Sequence, residues 1–273
     1  MEYGINNSIG KPAKEDVIKI LDFASKKGIR ILDSADAYGD ALSIIAEFTS
    51  KNSKSFGVNS KFILGEDSIQ SQLQKSLSLL GISSFSTYYY HNIKDLDKSP
   101  HTISELNSLK QRKLINQIGV SVYTNYEFKR VIDISEIDVI QFPFNLLDNN
   151  FQRGQLIKEA KKKNKELHAR SIFLQGLFFK SPEELPVILK PLKPYLKEIR
   201  RVSEANKIEI AALSLVYALR QSDINYIIIG VDNLEQIKKN LSYSLLEVNA
   251  NILDIIDNIK VRETELLNPV NWN

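Results

Sequence analysis

Short runs of β-branched and aromatic residues alternate along the chain with stretches whose apolar residues recur at helical spacing. The first periodic stretch, KEDVIKILDFASKKG, sets Val17, Ile18, Leu21 and Ala24 on one stripe and stops at Gly28. RILDSA reads as a buried strand, and a helix from about Ala41 leads to the strand SFGVNSKF. EDSIQSQLQKSLSLLG is a helix ended by Gly81, and FSTYYYH is a strand. HTISELNSLKQRK leads to INQIGVSVY, NYEFKRVIDI to IDVIQFPFN, and GQLIKEAKKKN to ELHARSIF. A longer helical region, interrupted by Pro191 and Pro194, ends in IEIAALSLVYALRQ. NYIIIGV, NLEQIKKNL and a helix from about Ile252 to Lys260 complete the pattern.

Helices between nearly continuous apolar strands predict an α/β fold with a parallel sheet covered on its faces. About seven strands are legible, each followed by a helix, whereas eight close a TIM-type (β/α)8 barrel. The chain opens on a loop and helix, so the expectation is such a barrel lacking its first strand. An open doubly wound sheet would carry a Gly-rich turn after its first strand, and no GxGxxG occurs. No composition break or linker divides the chain, which predicts one domain over residues 1–273.

A hydrophobic fraction of 43% and a charged fraction of 25% are those of a globular protein. A net charge of +3 argues for neither nucleic acid nor anionic lipid as a partner. The run Lys161-Lys162-Lys163 falls at a predicted helix end, where positive charge complements the helix dipole. The absence of cysteine removes disulfides, thiolate catalysis and Cys-ligated zinc, and the three histidines have no metal-binding spacing. With no apolar leader and no window approaching a membrane span, the expected location is the cytoplasm.

Against that background, Asp33, Tyr38, Lys61 and His91 each fall at the carboxyl end of a predicted strand or just past it. In an α/β barrel those ends share one rim, where reactive groups from several strands meet. A phenol, an ammonium, a carboxylate and an imidazole there are the parts for reducing a carbonyl by hydride transfer. Structural roles compete. Asp33 or Asp36 could cap a helix beside a packed Tyr38, Lys61 could be a surface lysine, and His91 a core histidine bonded to backbone.

ILDSADAYGD resembles the Asp-Thr-Ala…Tyr-Gly signature of the aldo-keto reductase superfamily, and NSKF and YYYHN resemble its lysine and histidine strands. IGVSVYT, IDVIQFPFNLLD, ARSIFLQGLF and IIIGVDNLEQIKKNL follow in the family's order. The resemblance implies NAD(P)H-dependent reduction of an aldehyde, ketone or keto-sugar, with a small carbonyl compound as partner. Tyr38 would be the proton donor, Lys61 would favour its phenolate, Asp33 would fix Lys61, and His91 would orient the carbonyl. Ser121 and Gln141 would hold the nicotinamide carboxamide, and Arg170 falls where many members stack an aromatic ring on the nicotinamide. Gly230, Asp232, Gln236 and Asn240 would meet the adenosine end of NADP(H) or NAD(H).

Three departures qualify that inheritance. Family members selective for the 2′-phosphate often place Lys and Arg where this chain has Gly230 and Gln236, with Lys238 or Lys239 as substitutes. Relatives carry a strand ending in Leu-Gly-Thr before the segment matching MEYGINN. Its absence leaves strand edges that a replacement segment or a homo-oligomer could cover, and predicts weakened cofactor binding. Leu42 replaces a usual glutamate. The alternative function is a catalytically weak or inactive nucleotide-sensing barrel. A third, a Schiff-base lyase using Lys61, needs a depressed lysine pKa that Asp33 would oppose. Trp272 in the C-terminal tail either lids the substrate or packs on the surface.

Overall fold

The computed structural model describes residues 10–52, 56–65, 67–99 and 101–272. Among them seven strands run β1 (Ile31–Asp33), β2 (Gly57–Phe62), β3 (Phe85–Tyr90), β4 (Ile115–Ser121), β5 (Val139–Pro143), β6 (Glu166–Arg170) and β7 (Tyr226–Ile227). Every pairing is parallel, and the spatial order is the chain order. α1 (Lys14–Lys26) precedes β1, and the helices between the strands are α2 (Ala41–Lys51), α3 (Ile69–Leu80), α4 (Lys94–Lys98), α5 (Thr102–Gln111), α6 (Asn125–Ile132) and α7 (Asn150–Lys162). After β6 come α8 (Lys193–Asn206) and α9 (Ile210–Leu219), and after β7 come α10 (Leu234–Tyr243) and α11 (Ala250–Asp257). The sheet curls into most of a (β/α)8 barrel.

Local chemistry sets the helix ends. Ser68 caps α3 by accepting the Ser71 N–H at 3.2 Å, and Gly81 ends it at φ 64°, the left-handed conformation glycine adopts without strain. Thr124 and Glu127 form a capping box on α6. Asn149 caps α7 and donates through Nδ2 to the Ile256 and Ile259 carbonyls, tying the C-terminal region to the barrel. α4 arises from KDLDK, a stretch too short for periodicity to reveal.

The strands differ from the expected near-continuous apolar runs. One face of each carries the core: Val58, Phe62, Tyr88, Tyr90, Ile118, Val120, Ile140, Phe142, Leu167 and Ala169 belong to a single apolar cluster with the covering helices. The alternate positions meet across the barrel. Tyr89 Oη lies 2.7 Å from His168 Nδ1, and His168 Nε2 lies 2.7 Å from Glu166 Oε1. Gln117 donates to Glu166 at 2.9 Å and Thr87 to Gln117 at 3.1 Å. The barrel interior is a hydrogen-bonded polar layer, in which each of these groups finds a partner it would otherwise lose to desolvation. Gly119 belongs to the design: a Cβ there would stand 2.3 Å from the Tyr89 ring.

β1 pairs only with β2, and β7 only with β6, among the described residues. Between them lies a cavity of about 530 Å³, lined by Ile29, Ile31 and Leu32 on one side and Tyr226, Ile227 and Ile229 on the other. This seam is the place where an eight-stave barrel would pair a further strand; the segment MEYGINNSI lies outside the described residues. Trp272 packs against the core and donates Nε1–H to the Leu266 carbonyl at 2.8 Å. No helix among the described residues is long and apolar enough to cross a membrane.

Candidate active site

Parallel strands put all their carboxyl ends on one rim, so Asp33, Lys61, Arg170 and the residues just past β3 and β4 converge from separate parts of the chain. The register places Asp33 beside Asn59 and Lys61 beside Tyr89. Lys61 is 2% exposed. Its ammonium forms an ion pair with Asp33 Oδ2 and donates to the Ser34 carbonyl at 3.0 Å. The second Asp33 oxygen accepts from Gln141 Nε2 at 2.9 Å, so β5 reaches across to complete the pair.

Two phenols flank this ammonium. Lys61 Nζ lies 5.5 Å from the Tyr38 ring centroid and 5.6 Å from that of Tyr89. They differ in what they can reach. Tyr89 is fully buried, bonded to His168, and its hydroxyl is pushed well above the usual tyrosine value by burial. Tyr38 is half-buried on the loop after β1, with the His91 ring edge-on at 6.0 Å between centroids. Of the two, Tyr38 alone combines a neighbouring cation with access to the rim.

Burial draws the Lys61 ammonium below its usual range and outweighs the opposing pull of Asp33. That direction reverses the expectation from the Asp33 pairing alone. Burial also lowers His91, with the positive charges of Lys61 and Arg170 adding to the effect. A neutral imidazole presents one N–H donor and one acceptor nitrogen, which suits a carbonyl ligand.

Asp36 holds the loop that carries Tyr38. Its Oδ1 accepts from Ser60 Oγ at 2.9 Å and Ser76 Oγ at 3.3 Å, its Oδ2 from Tyr88 Oη at 3.3 Å, and its N–H donates to the Lys61 carbonyl at 3.1 Å. No cation pairs with it among the described residues, and burial raises its carboxyl above the usual aspartate value against the lowering effect of these hydroxyls. A raised folded-state pKa gives stability present below the unfolded value, near 3.8, and lost as pH rises through the folded value. Asp36→Asn should therefore gain in melting temperature relative to wild type between about pH 4.5 and about pH 7.5, read by thermal unfolding at both. A difference independent of pH would count against a buried, uncompensated carboxylate.

The remaining positions divide. Ser121 ends β4, buried beside Gln141 in register. The Gln141 amide donates to Asp33, so at least one of its N–H groups serves the ion pair. Asn240 is buried on α10 and lines the seam cavity, which also reaches Asp33 and Tyr38. Gln236 Oε1 accepts the Asp232 N–H at 2.7 Å, so these two residues fix one another at the start of α10. Gly230 has open space around its missing Cβ. Lys238 and Lys239 turn to Glu235 at 2.7 Å and Glu209 at 3.7 Å. Leu42 is buried in the core.

Sequence reasoning missed Tyr89, His168 and Tyr123. The signal was present: in β2, β3 and β4 the odd-numbered polar positions, such as Asn59, Lys61, Thr87, Tyr89, Gln117 and Ser121, form one face. The aromatic content of YYY concealed that alternation.

The residues around the seam cavity fit a polar ligand such as a dinucleotide. Buried Ser34 Oγ and Asn59 Oδ1 have no hydrogen-bond partner among the described residues, and both line the cavity that ends at Asp33 and Tyr38. Polar atoms stranded in this way at the edge of a cavity are groups that a polar ligand satisfies.

A model described as the aldo/keto reductase family matches residues 1–261. Among curated proteins the chain is similar to the aldo-keto reductase str7 of Strobilurus tenacellus, at 20% identity over 261 residues covering 86% of this chain and 78% of that one. It is also similar to the L-galactose dehydrogenase of Arabidopsis thaliana, at 22% identity over 262 residues covering 87% and 81%. Among solved structures it matches the apo form of aldo-keto reductase AKR11C1 from Bacillus halodurans with a TM-score of 0.75, 20% identity and coverage of 91% and 87%. MGS-M4, an aldo-keto reductase from a Medee basin deep-sea metagenome library, matches with a TM-score of 0.72 at 16% identity over 92% and 89%. These structural matches concern the fold, and the sequence match over nearly the whole length carries the assignment: the chain belongs to the aldo/keto reductase family, an oxidoreductase family acting on small carbonyl compounds.

Proposed function

We propose that the protein is an NAD(P)H-dependent reductase of an aldehyde, ketone or keto-sugar, formed by a single domain over residues 1–273, with Tyr38 as proton donor. The observation that carries this reading is the buried Lys61–Asp33 pair beneath the half-exposed Tyr38 ring, with His91 edge-on to it. The reduced nicotinamide, when bound, supplies the hydride to the carbonyl carbon. Everything else falls to the chain. Neutral His91 donates a hydrogen bond to the carbonyl oxygen and orients it. Tyr38 gives its proton to that oxygen as negative charge develops there. Lys61, held by Asp33 and the Ser34 carbonyl, stabilises the phenolate left behind. Ser121 and Gln141 would hold the carboxamide, Arg170 would cover the nicotinamide ring, and Gly230, Asp232, Gln236 and Asn240 would border the adenosine end.

The open seam beside Tyr38 favours one other reading, a barrel that binds nucleotide without turning over substrate. A Schiff-base lyase finds less support despite the lowered Lys61, because its nitrogen is held by two acceptors, Asp33 and the Ser34 carbonyl. The test is oxidation of NADH and of NADPH against a panel of aldehydes and ketones. Turnover supports the reductase, and tight dinucleotide binding without turnover supports the sensor. Because Lys238 and Lys239 are both turned to acidic neighbours, no cationic clamp from these two residues awaits a 2′-phosphate. The expected KM for NADH is accordingly no higher than that for NADPH. An NADPH preference of about tenfold or more would contradict it.

A further inference from the structure

Two arginines approach Tyr123, the residue two past the end of β4, and only one of them is neutralised among the described residues. Arg153, on α7, holds both oxygens of Asp148 at 2.6 and 2.7 Å, donates to Asn125 Oδ1 at 2.7 Å, and also donates to the Tyr123 carbonyl. That pair is 5% and 3% exposed and structural: it fixes the Tyr123 backbone from below. Arg170, at the end of β6, lays its guanidinium 4.2 Å from the Tyr123 ring centroid. Its hydrogen bonds go to Ser171 Oγ at 3.2 Å and the Val122 carbonyl at 3.1 Å, both neutral acceptors. Among the described residues no carboxylate lies within ion-pair distance of it. Two of its five N–H groups are used, and three face no acceptor among the described residues.

The charge balance at the rim follows. Asp33 is committed to Lys61 and Gln141, and Asp40, further out, to Lys11. Arg170 stands close enough to Lys61 and His91 to be felt by both. The group of Asp33, Lys61 and Arg170 therefore carries one positive charge in surplus, on a half-buried, aromatic-backed planar cation. Withdrawing such a charge from water costs free energy unless a ligand answers it. A planar fork of N–H donors is answered best by the two coplanar oxygens of a carboxylate.

We infer that the substrate carries a carboxylate near its carbonyl group, as a keto acid, an aldehyde acid or a keto-sugar acid, and that Arg170, stacked on Tyr123, binds that carboxylate. This rests on the reductase reading and deepens it. The carboxylate would anchor one end of the substrate while His91 and Tyr38 address the carbonyl. It would also explain a bare guanidinium, where a ring contact with the nicotinamide alone would be met by an uncharged aromatic.

The test uses substrate pairs that differ chiefly in charge: glyoxylate with glycolaldehyde, pyruvate with hydroxyacetone, and succinic semialdehyde with butanal. In wild type kcat/KM should be about ten- to a hundredfold higher for the carboxylate member, the range a charge-assisted hydrogen bond provides. The ratio should shrink as salt is added. In Arg170→Met, which keeps an apolar contact with Tyr123, the ratio should fall toward one whatever the absolute rates become. A second readout needs no turnover: propionate should protect wild type but not Arg170→Met against thermal unfolding, and propionamide should protect neither. Equal turnover of both members overturns the inference and leaves the reductase standing. If no carbonyl is turned over, the reductase reading fails and the propionate comparison decides the role of Arg170. Protection equal in both proteins overturns that role.

Discussion

Tyr38→Phe should lower kcat by about 10²-fold or more, the contribution of a positioned general acid, while the dissociation constant for NADH changes by less than about twofold. The substitution removes one oxygen and keeps the ring, so the edge-on contact with His91 and the position above Lys61 survive. The loss belongs to the transition state, because charge on the carbonyl oxygen appears only as hydride arrives. Tyr89→Phe is the control that locates the donor. Tyr89 lies as near the Lys61 ammonium, 5.6 Å against 5.5 Å, but it is sealed beneath it. Removing its hydroxyl strands His168 Nδ1 and should cost about 1–3 kcal/mol of stability. It should leave most of the turnover in place. Steady-state kinetics and thermal unfolding on the two variants should thus give opposite patterns. A Tyr38→Phe protein that keeps more than about a tenth of wild-type kcat would remove Tyr38 from the proton-transfer step.

The legibility of this arrangement was uneven, for reasons that lie in the residues themselves. Asp33, Tyr38, Lys61 and His91 stood out, each with a competing structural role, because all four fall at or just past the ends of predicted strands and parallel order in the chain becomes proximity at one rim. The strands were equally visible, β7 excepted: NYIIIGV reads as a long stave, yet only Tyr226–Ile227 pairs. Facing the seam, that segment has no second neighbour to extend the ladder among the described residues. What the sequence could not reveal were partners. That Gln141 serves Asp33 depends on a contact across 108 positions. That Arg153 is neutralised while Arg170 meets no carboxylate among the described residues depends on where Asp148 turns. The balance at Lys61 was equally hidden, since Asp33 is legible as a counter-ion whereas the extent of burial is a property of the closed fold.

Lys61→Met should destabilise the protein by about 3–5 kcal/mol, because it leaves the Asp33 carboxylate in the barrel without its cation. At this chain length that corresponds to a fall in melting temperature of roughly 10 °C. Lys61→Met/Asp33→Asn should recover most of the loss. The pair as a whole gives little net stability, since its Coulomb attraction is offset by the cost of burying two ions. The carboxamide that replaces the Asp33 carboxylate would still accept from Gln141, whose bond to Asp33 Oδ1 measures 2.9 Å. Activity should not follow stability. Both variants lack the ammonium next to Tyr38, so both should show kcat lowered by about 10²-fold or more. This divergence separates two roles that one substitution confounds, since a lysine that only held the barrel together would regain its function once the charge imbalance was relieved. Folding restored with turnover still absent is what a buried cation placed to stabilise a phenolate requires. Turnover restored together with folding would reduce Lys61 to a structural residue and leave the Tyr38 phenolate without its counter-charge.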